Sequence, residues 1–336
     1  MSHDLGGYHF FCFRDVKSDR LGYMALDSTS LQDPRSWPAL PLEAWLDTYQ
    51  TLHMWTQIVG KIRMTLSPKL NHWWHTTLYV GARGLTTSPI PYGGGVFEIQ
   101  FDFIDHQLQI ITSDGEREEF ALVPEAVAVF EDRLMAALRS LSIDVRINTK
   151  PQEVPNPIRF EKDYQHASYD ADSAHRWWRA LLSSAIVMNE FRSSFIGKCS
   201  PVHFFWGSFD LACSRFSGRP APPRKGVISS EGYSHEVISA GFWPGSGALK
   251  GAAYYAYAVP MPPGLADEPA RPAAAFWSKE LSEFILMYDD VRRAPSPRAA
   301  LLDFLESTYA AAAKLAKWDR VALERLSYRA APERLS

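Results

Sequence analysis

The 336-residue sequence predicts an α+β protein of two similar halves, each a helix, an antiparallel sheet and a return helix, packed around an aromatic-rich cleft. Three observations predict it. Apolar residues recur with helical period after Pro41, where Leu42, Leu46, Tyr49, His53 and Thr56 share one stripe. Strict alternation follows, with Phe97, Ile99, Phe101 and Phe103 set against Glu98, Gln100 and Asp102. The plan then starts again after a polar, proline-containing stretch. These observations divide the chain into an extended leader (1–41), a first half (42–150), a linker (151–171), a second half (172–328) and a tail (329–336).

The leader ends in Asp33-Pro34-Arg35-Ser36-Trp37-Pro38-Ala39-Leu40-Pro41, whose prolines block helix and hold their predecessors extended. In the first half, strands are expected at Leu78–Val80, at 97–103, at 108–112 up to the turn Asp114-Gly115, and at 119–122. A helix follows from Pro124 to about Leu141, with Val127, Phe130, Leu134 and Leu138 on one face, and a strand Val145-Arg146-Ile147 closes the half. In the second half, Asp172 is expected to cap a helix carrying Trp177, Leu181, Val187, Phe191 and Phe195. Strands are expected at 202–213, 233–243 and 252–260, proline-rich loops at 218–224 and 259–273, and helices at about 274–290 and 297–328.

A shift of 131 residues lays Asn71–Pro91 on Val202–Pro222, matching His72 with His203, Pro89 with Pro220 and Pro91 with Pro222. Three of the 21 pairs are identical, so chance similarity of two proline-bounded aromatic strands stands beside duplication. Duplication would place His72 and His203 near a pseudo-two-fold axis.

Lys and Arg number 35 against 38 Asp and Glu, a balance that argues against a nucleic-acid partner. The start has no signal-peptide pattern, and no 18-residue apolar run marks a membrane span. Cys12, Cys199 and Cys213 are too scattered for a disulfide framework or a zinc knuckle, so a cytoplasmic protein with reduced thiols is expected. Gly60-Lys61 and Gly197-Lys198 lack the rest of a phosphate-binding loop, and Ser208 lacks the glycines of a nucleophile elbow. Gly93-Gly94-Gly95 and Gly245-Ser246-Gly247 read as isolated turns.

Four histidines, His72, His75, His203 and His235, fall in or beside aromatic strands near Asp210 and Glu236, with Asp102, Asp105 and His106 in the first half. Neutral imidazoles plus a carboxylate are the ligand set of zinc or non-haem iron. On that reading His72, His203 and His235 hold the metal, and Asp210 or Glu236 is the further ligand or general base. Trp74, Trp206, Phe242 and Trp243 then shape a pocket for a small apolar or aromatic molecule. Strand parity limits the idea: seven residues separate His203 from Asp210, so they share a face only if a bulge or turn, with Gly207 as its place, intervenes. Three readings stay open: a metal-dependent enzyme, a non-catalytic small-molecule binder with the same aromatic pocket, and a structural or interaction protein presenting its proline-rich loops.

At Trp55–Lys61, Asn71–His75, Leu85–Pro91, Ser200–Ala212, Tyr233–Glu236 and Ala240–Gly245 the chain resembles a bacterial family defined only as a domain of unknown function. The resemblance runs from about Trp37 to Arg325 and leaves the leader outside it. It implies one integrated unit over 37–325 and brings no reaction with it.

Overall fold

The structure, a computed structural model, describes residues 36–245 and 249–325. Most of the expected leader, the tail, Cys12, the end of the last expected helix and most of the Gly245-Ser246-Gly247 turn lie outside them. The described end of the leader is anchored: Trp37 and Leu40 are buried, and the Tyr288 hydroxyl donates to Pro38 O at 2.9 Å.

Helix α1 (Leu42–Leu66) starts behind Pro41 and stops at Ser67, which Pro68 holds extended. From Thr48 to Arg63 it is buried almost all round, Thr56, Gln57 and Lys61 included, which makes it the central helix. A 3₁₀ turn (Asn71–Trp73) follows, with His72 and Trp73 in the left-handed region at φ 54° and 61°. The first antiparallel sheet comprises β1 (Tyr79–Val80), β2 (Gly84–Thr86), β3 (Ile90–Tyr92), β4 (Gly95–Asp102), β5 (Gln107–Thr112) and β6 (Arg117–Ala121). Its order is β1-β2-β4-β5-β6, with β3 also on β4. Phe97, Ile99 and Phe101 point into the core while Glu98 and Gln100 stay partly exposed, as their alternation predicts. Helix α2 (Val127–Ser140) then packs over α1.

The expected strand at 145–147 is absent: no ladder partner lies beside this segment, which only lays Val145 and Ile147 against the core. The expected linker is tied down, because Gln57 exchanges two hydrogen bonds with the Gln152 backbone and Lys61 Nζ donates to Lys150 O, all at 2.8 Å. Helix α3 (Ala171–Ser193) is capped by Asp170, which accepts from Ser173 N, and Asp172 lies in its first turn.

The second antiparallel sheet contains β7 (His203–Phe205), β8 (Asp210–Pro220), β9 (His235–Trp243), β10 (Ala253–Val259), β11 (Phe276–Ser278) and β12 (Glu283–Met287), in the order β11-β12-β10-β9-β8-β7. A short helix α4 (Val227–Gly232) joins β8 to β9. The stretch 202–213 is thus a hairpin turning at Trp206–Phe209. The expected helix at 274–290 is the pair β11–β12 followed by a short α5 (Tyr288–Arg293), because Phe276–Ser278 and Glu283–Met287 complete the ladder beside β10. Ser296 caps α6 (Pro297–Leu315), and α7 (Arg320–Leu323) ends the described chain.

Each half therefore runs helix, six-stranded sheet, helix. The residues paired by the 131-residue shift nevertheless differ locally: Asn71–Trp73 is a turn, whereas Val202–Phe204 enters β7. The sheets meet where Leu78 and Phe204 exchange backbone hydrogen bonds of 2.9 Å, and one apolar core runs through both halves. No helix among the described residues is long and apolar enough to cross a membrane.

Candidate functional site

One face of the second sheet is covered by α3 and α6, and residues such as Cys213, Phe242, Tyr254 and Leu286 fill that side. On the other face the register aligns Asp210, Ala212, Ser214 and Phe216 of β8 with Gly241, Ser239 and Val237 of β9 and with Tyr255 and Tyr257 of β10. All of these but Gly241 floor a cavity of about 710 Å³. Its walls are the 72–76 segment, Gln152 and Glu153, the β7–β8 hairpin, and α4 with the residues after it.

The floor is polar and internally bonded. Ser208 and Tyr255 hydroxyls donate to the two oxygens of Asp210. Ser214 and Ser239 hydroxyls share a 2.9 Å hydrogen bond, and Tyr257 and Tyr233 hydroxyls lie 3.2 Å apart. Gly241 makes this possible: a Cβ there would lie 2.3 Å from both Leu211 O and the Tyr255 hydroxyl, so only glycine lets Tyr255 lean across β9 toward Asp210. The walls are aromatic, with Trp73, Trp74, Phe205 and Trp206 around the mouth. Trp206 is held by its indole N–H on Thr76 O at 2.7 Å and packs flat on α1, where a Cβ on Gly60 would come within 2.1 Å of its ring.

Asp210 is 7 % exposed, and burial raises its pKa against the two hydroxyl donors, which favour the carboxylate. Glu153 sits at the rim, exposed as a residue but with its carboxyl turned over Gly207, and desolvation of that carboxyl first and the Asp210 charge second raise its pKa as well. Glu283, at the start of β12 and outside the cavity lining, is pushed up to about 7 by burial first and Asp210 second.

The hairpin turn settles the parity question. His203 pairs with Ala212 and Phe205 with Asp210, so His203 and Asp210 share a sheet face. His203 is 1 % exposed, edge-on to Trp74, Tyr79 and Phe205, and neither ring nitrogen has a partner among the described residues. Burial, with Arg63 and Arg192 adding to it, lowers its pKa to about 3, so the ring is neutral. His72 and His235 come together, with ring centroids 5.8 Å apart. Lys198 Nζ, however, lies 2.6 Å from His72 Nε2. An ammonium only donates, so Nε2 is the acceptor and Nδ1–H donates to Gly232 O at 3.0 Å. The lone pair that a metal would need is thereby engaged by Lys198. Among the described residues no group of three His, Cys, Asp or Glu side chains has metal-holding geometry.

Of the other expected site residues, Trp74 and Trp206 line the cavity, whereas Phe242 and Trp243 do not. Phe242 points into the core against Tyr254 and Tyr288, because it is out of phase with Gly241 on β9. Trp243 shares the cavity face one row away, opposite Ala253. Glu236 points away from the cavity: it accepts from Ser217 and from Arg219, whose guanidinium also donates to the carbonyls of Ala316 and Lys317 just past the end of α6. That is a structural role away from the cavity. Asp102 likewise holds a turn, accepting from Ile104 N and Asp105 N and pairing with Arg83 at 2.6 Å.

Glu153, Tyr255 and Tyr257 were not singled out by sequence. The tyrosines had a signal, since in Ala253-Tyr254-Tyr255-Ala256-Tyr257-Ala258 positions 255 and 257 share a strand face. Glu153, in an irregular stretch, had none. No curated protein and no solved structure matches the chain. A model of a family of unknown function, DUF5996, matches residues 37–325, and the chain belongs to that family.

Proposed function

We propose that this chain binds a small, largely apolar molecule with one polar end in the cavity on the second sheet. The observation that carries the reading is the combination of a 710 Å³ space, aromatic walls and a hydrogen-bonded polar floor around Asp210. Binding pockets share this make-up, in which apolar faces supply affinity and a few fixed polar groups set orientation. Saturation-transfer NMR with 2-phenylethanol and indole tests it, using wild type and an Ala212→Phe variant whose ring fills the floor. Saturable transfer in wild type, lost in the variant, supports the reading. Equal signals in both proteins, or none in wild type, overturn it.

The 5.8 Å approach of His72 and His235 favours a second reading, a metal-dependent enzyme using zinc or iron. It requires Lys198 to leave His72 Nε2 and a third ligand to move in. Metal content of untagged protein, compared with a His72→Ala, His203→Ala double variant, decides it. Near-stoichiometric zinc or iron that vanishes in the variant supports metal chemistry, and metal content unchanged by the substitutions removes it.

A further inference from the structure

We infer that the ligand of this cavity is an organic cation, a protonated primary or secondary amine on an aromatic or branched apolar body. The inference rests on the cavity being a ligand site and adds the charge of what enters it. Asp210 lies in the floor and makes no ion pair among the described residues. Ser208 and Tyr255 each occupy one lone-pair position of its carboxylate, and a carboxylate offers about four, so acceptor capacity is left. Glu153, on the rim above Gly207, has neither a hydrogen bond nor an ion pair among the described residues.

The positive groups of the lining are engaged or neutral. Lys69 pairs with Glu231 at 2.7 Å, and His72 is a neutral ring accepting from Lys198. An anion entering this space would meet Asp210 and Glu153 with no unpaired cation in the lining to offset them; Lys198, which lies outside the lining, is held on His72 Nε2 and over the Trp74 and Phe216 rings. A neutral ligand would leave the buried carboxylate without a counter-charge, whereas an ammonium supplies that charge and N–H donors for its free lone pairs. The walls act in the same direction. Trp73, Trp74, Phe205 and Trp206 surround the mouth and Tyr255 and Tyr257 the floor, and aromatic faces attract a desolvated ammonium while packing its apolar body.

Three probes with one body separate the charges: 2-phenylethylamine, 2-phenylethanol and phenylacetate, titrated calorimetrically at pH 7 into the full chain. The amine is expected to bind about tenfold or more tightly than the alcohol, because a hydrogen bond to a charged group adds upwards of about 1.4 kcal/mol. Phenylacetate is expected to bind more weakly than either. Asp210→Asn should bring the amine to within about threefold of the alcohol. Trp74→Ala should weaken amine and alcohol alike. Glu153→Gln, at an exposed position where folding is not at stake, should lower amine affinity alone. Alcohol binding as tightly as amine to wild type, or an amine preference that survives both carboxylate substitutions, overturns the inference and leaves the cavity reading intact. Absence of binding by all three probes overturns both.

Discussion

The two sheets have the same number of strands and opposite economies. The first buries one face only: β6 alternates between half-buried and exposed positions, and β5 places Leu108 and Ile110 inside with Ile111 outside. The second is covered on both faces, so β8 and β9 run through six or more buried positions with few breaks. A sheet that faces water on one side can be filled with apolar residues on the other and left alone. A sheet whose second face encloses a cavity carries polar groups that need partners, and the Ser208–Asp210–Tyr255 and Ser214–Ser239 hydrogen bonds supply them, whereas the neutral His203 ring on the same face is left without one among the described residues. The first sheet is therefore a stabilising element, and the second combines stability with a cavity.

Truncation gives the largest contrast. Phe101→Ala, at a fully buried position of the first sheet, should cost about 3–5 kcal/mol in urea unfolding. Phe205→Ala, on the half-buried cavity wall, should cost about 1–2 kcal/mol. Equal losses would mean that the cavity wall is packed like the core. Glycine comes next. Gly241→Ala forces a Cβ onto Leu211 O and should destabilise by about 1–3 kcal/mol while displacing Tyr255. Gly94→Ala, at a turn of the first sheet with open space around it, should stay within about 0.5 kcal/mol of wild type. A tolerated Gly241→Ala would show that Tyr255 does not need its close approach.

The third effect is pH-dependent. Glu283 is protonated more readily in the folded chain than when unfolded, so it lowers stability as pH rises from its ordinary value near 4 to about 7. Urea midpoints of Glu283→Gln and wild type should coincide near pH 4 and diverge in favour of the variant above pH 7, by about 1 kcal/mol after solvent screening. A constant difference across that range would place the carboxyl in water. The smallest effect is kinetic and lies on the helix-covered face of the second sheet. Cys199 is lowered to about 7, first by a hydrogen bond from the Cys213 thiol 3.9 Å away and then by Arg192 and Arg215 against its burial, while Cys213 is raised by burial. Iodoacetamide should alkylate Cys199 ahead of Cys213, with a rate that climbs through pH 7. Peptide mapping that finds the two modified equally fast would contradict this.

The same asymmetry explains what was legible in the sequence. Phe97, Ile99 and Phe101 alternate with Glu98 and Gln100 because one face meets water, so β4 could be read directly, whereas the three-residue strands β2 and β3 are too short to carry such a pattern. Glu283–Met287 buries three consecutive residues and Phe276–Ser278 is a three-residue edge strand, so neither carries a period-2 signal, and a helix was expected where two strands lie. Trp74, Trp206 and Asp210, singled out by their aromatic and acidic company, line the cavity. One position of strand phase turns Phe242 into the core, and Ser217 and Arg219 of β8 hold Glu236 away from the cavity. The histidines were grouped by composition, but backbone carbonyls, Lys198 and aromatic edges decide what each ring does.

Hydrophobic period and proline placement are local properties, and they carry the α+β class, the order of helix, sheet and helix in each half, and the aromatic wealth around His72 and His203. Only the tertiary structure decided that the hairpin at Trp206–Phe209 puts His203 and Asp210 on one face, that Gly241 admits Tyr255, and that an irregular stretch brings Glu153 to the rim. Each of these depends on register between segments far apart in the chain, and register is set by the packing of the whole fold.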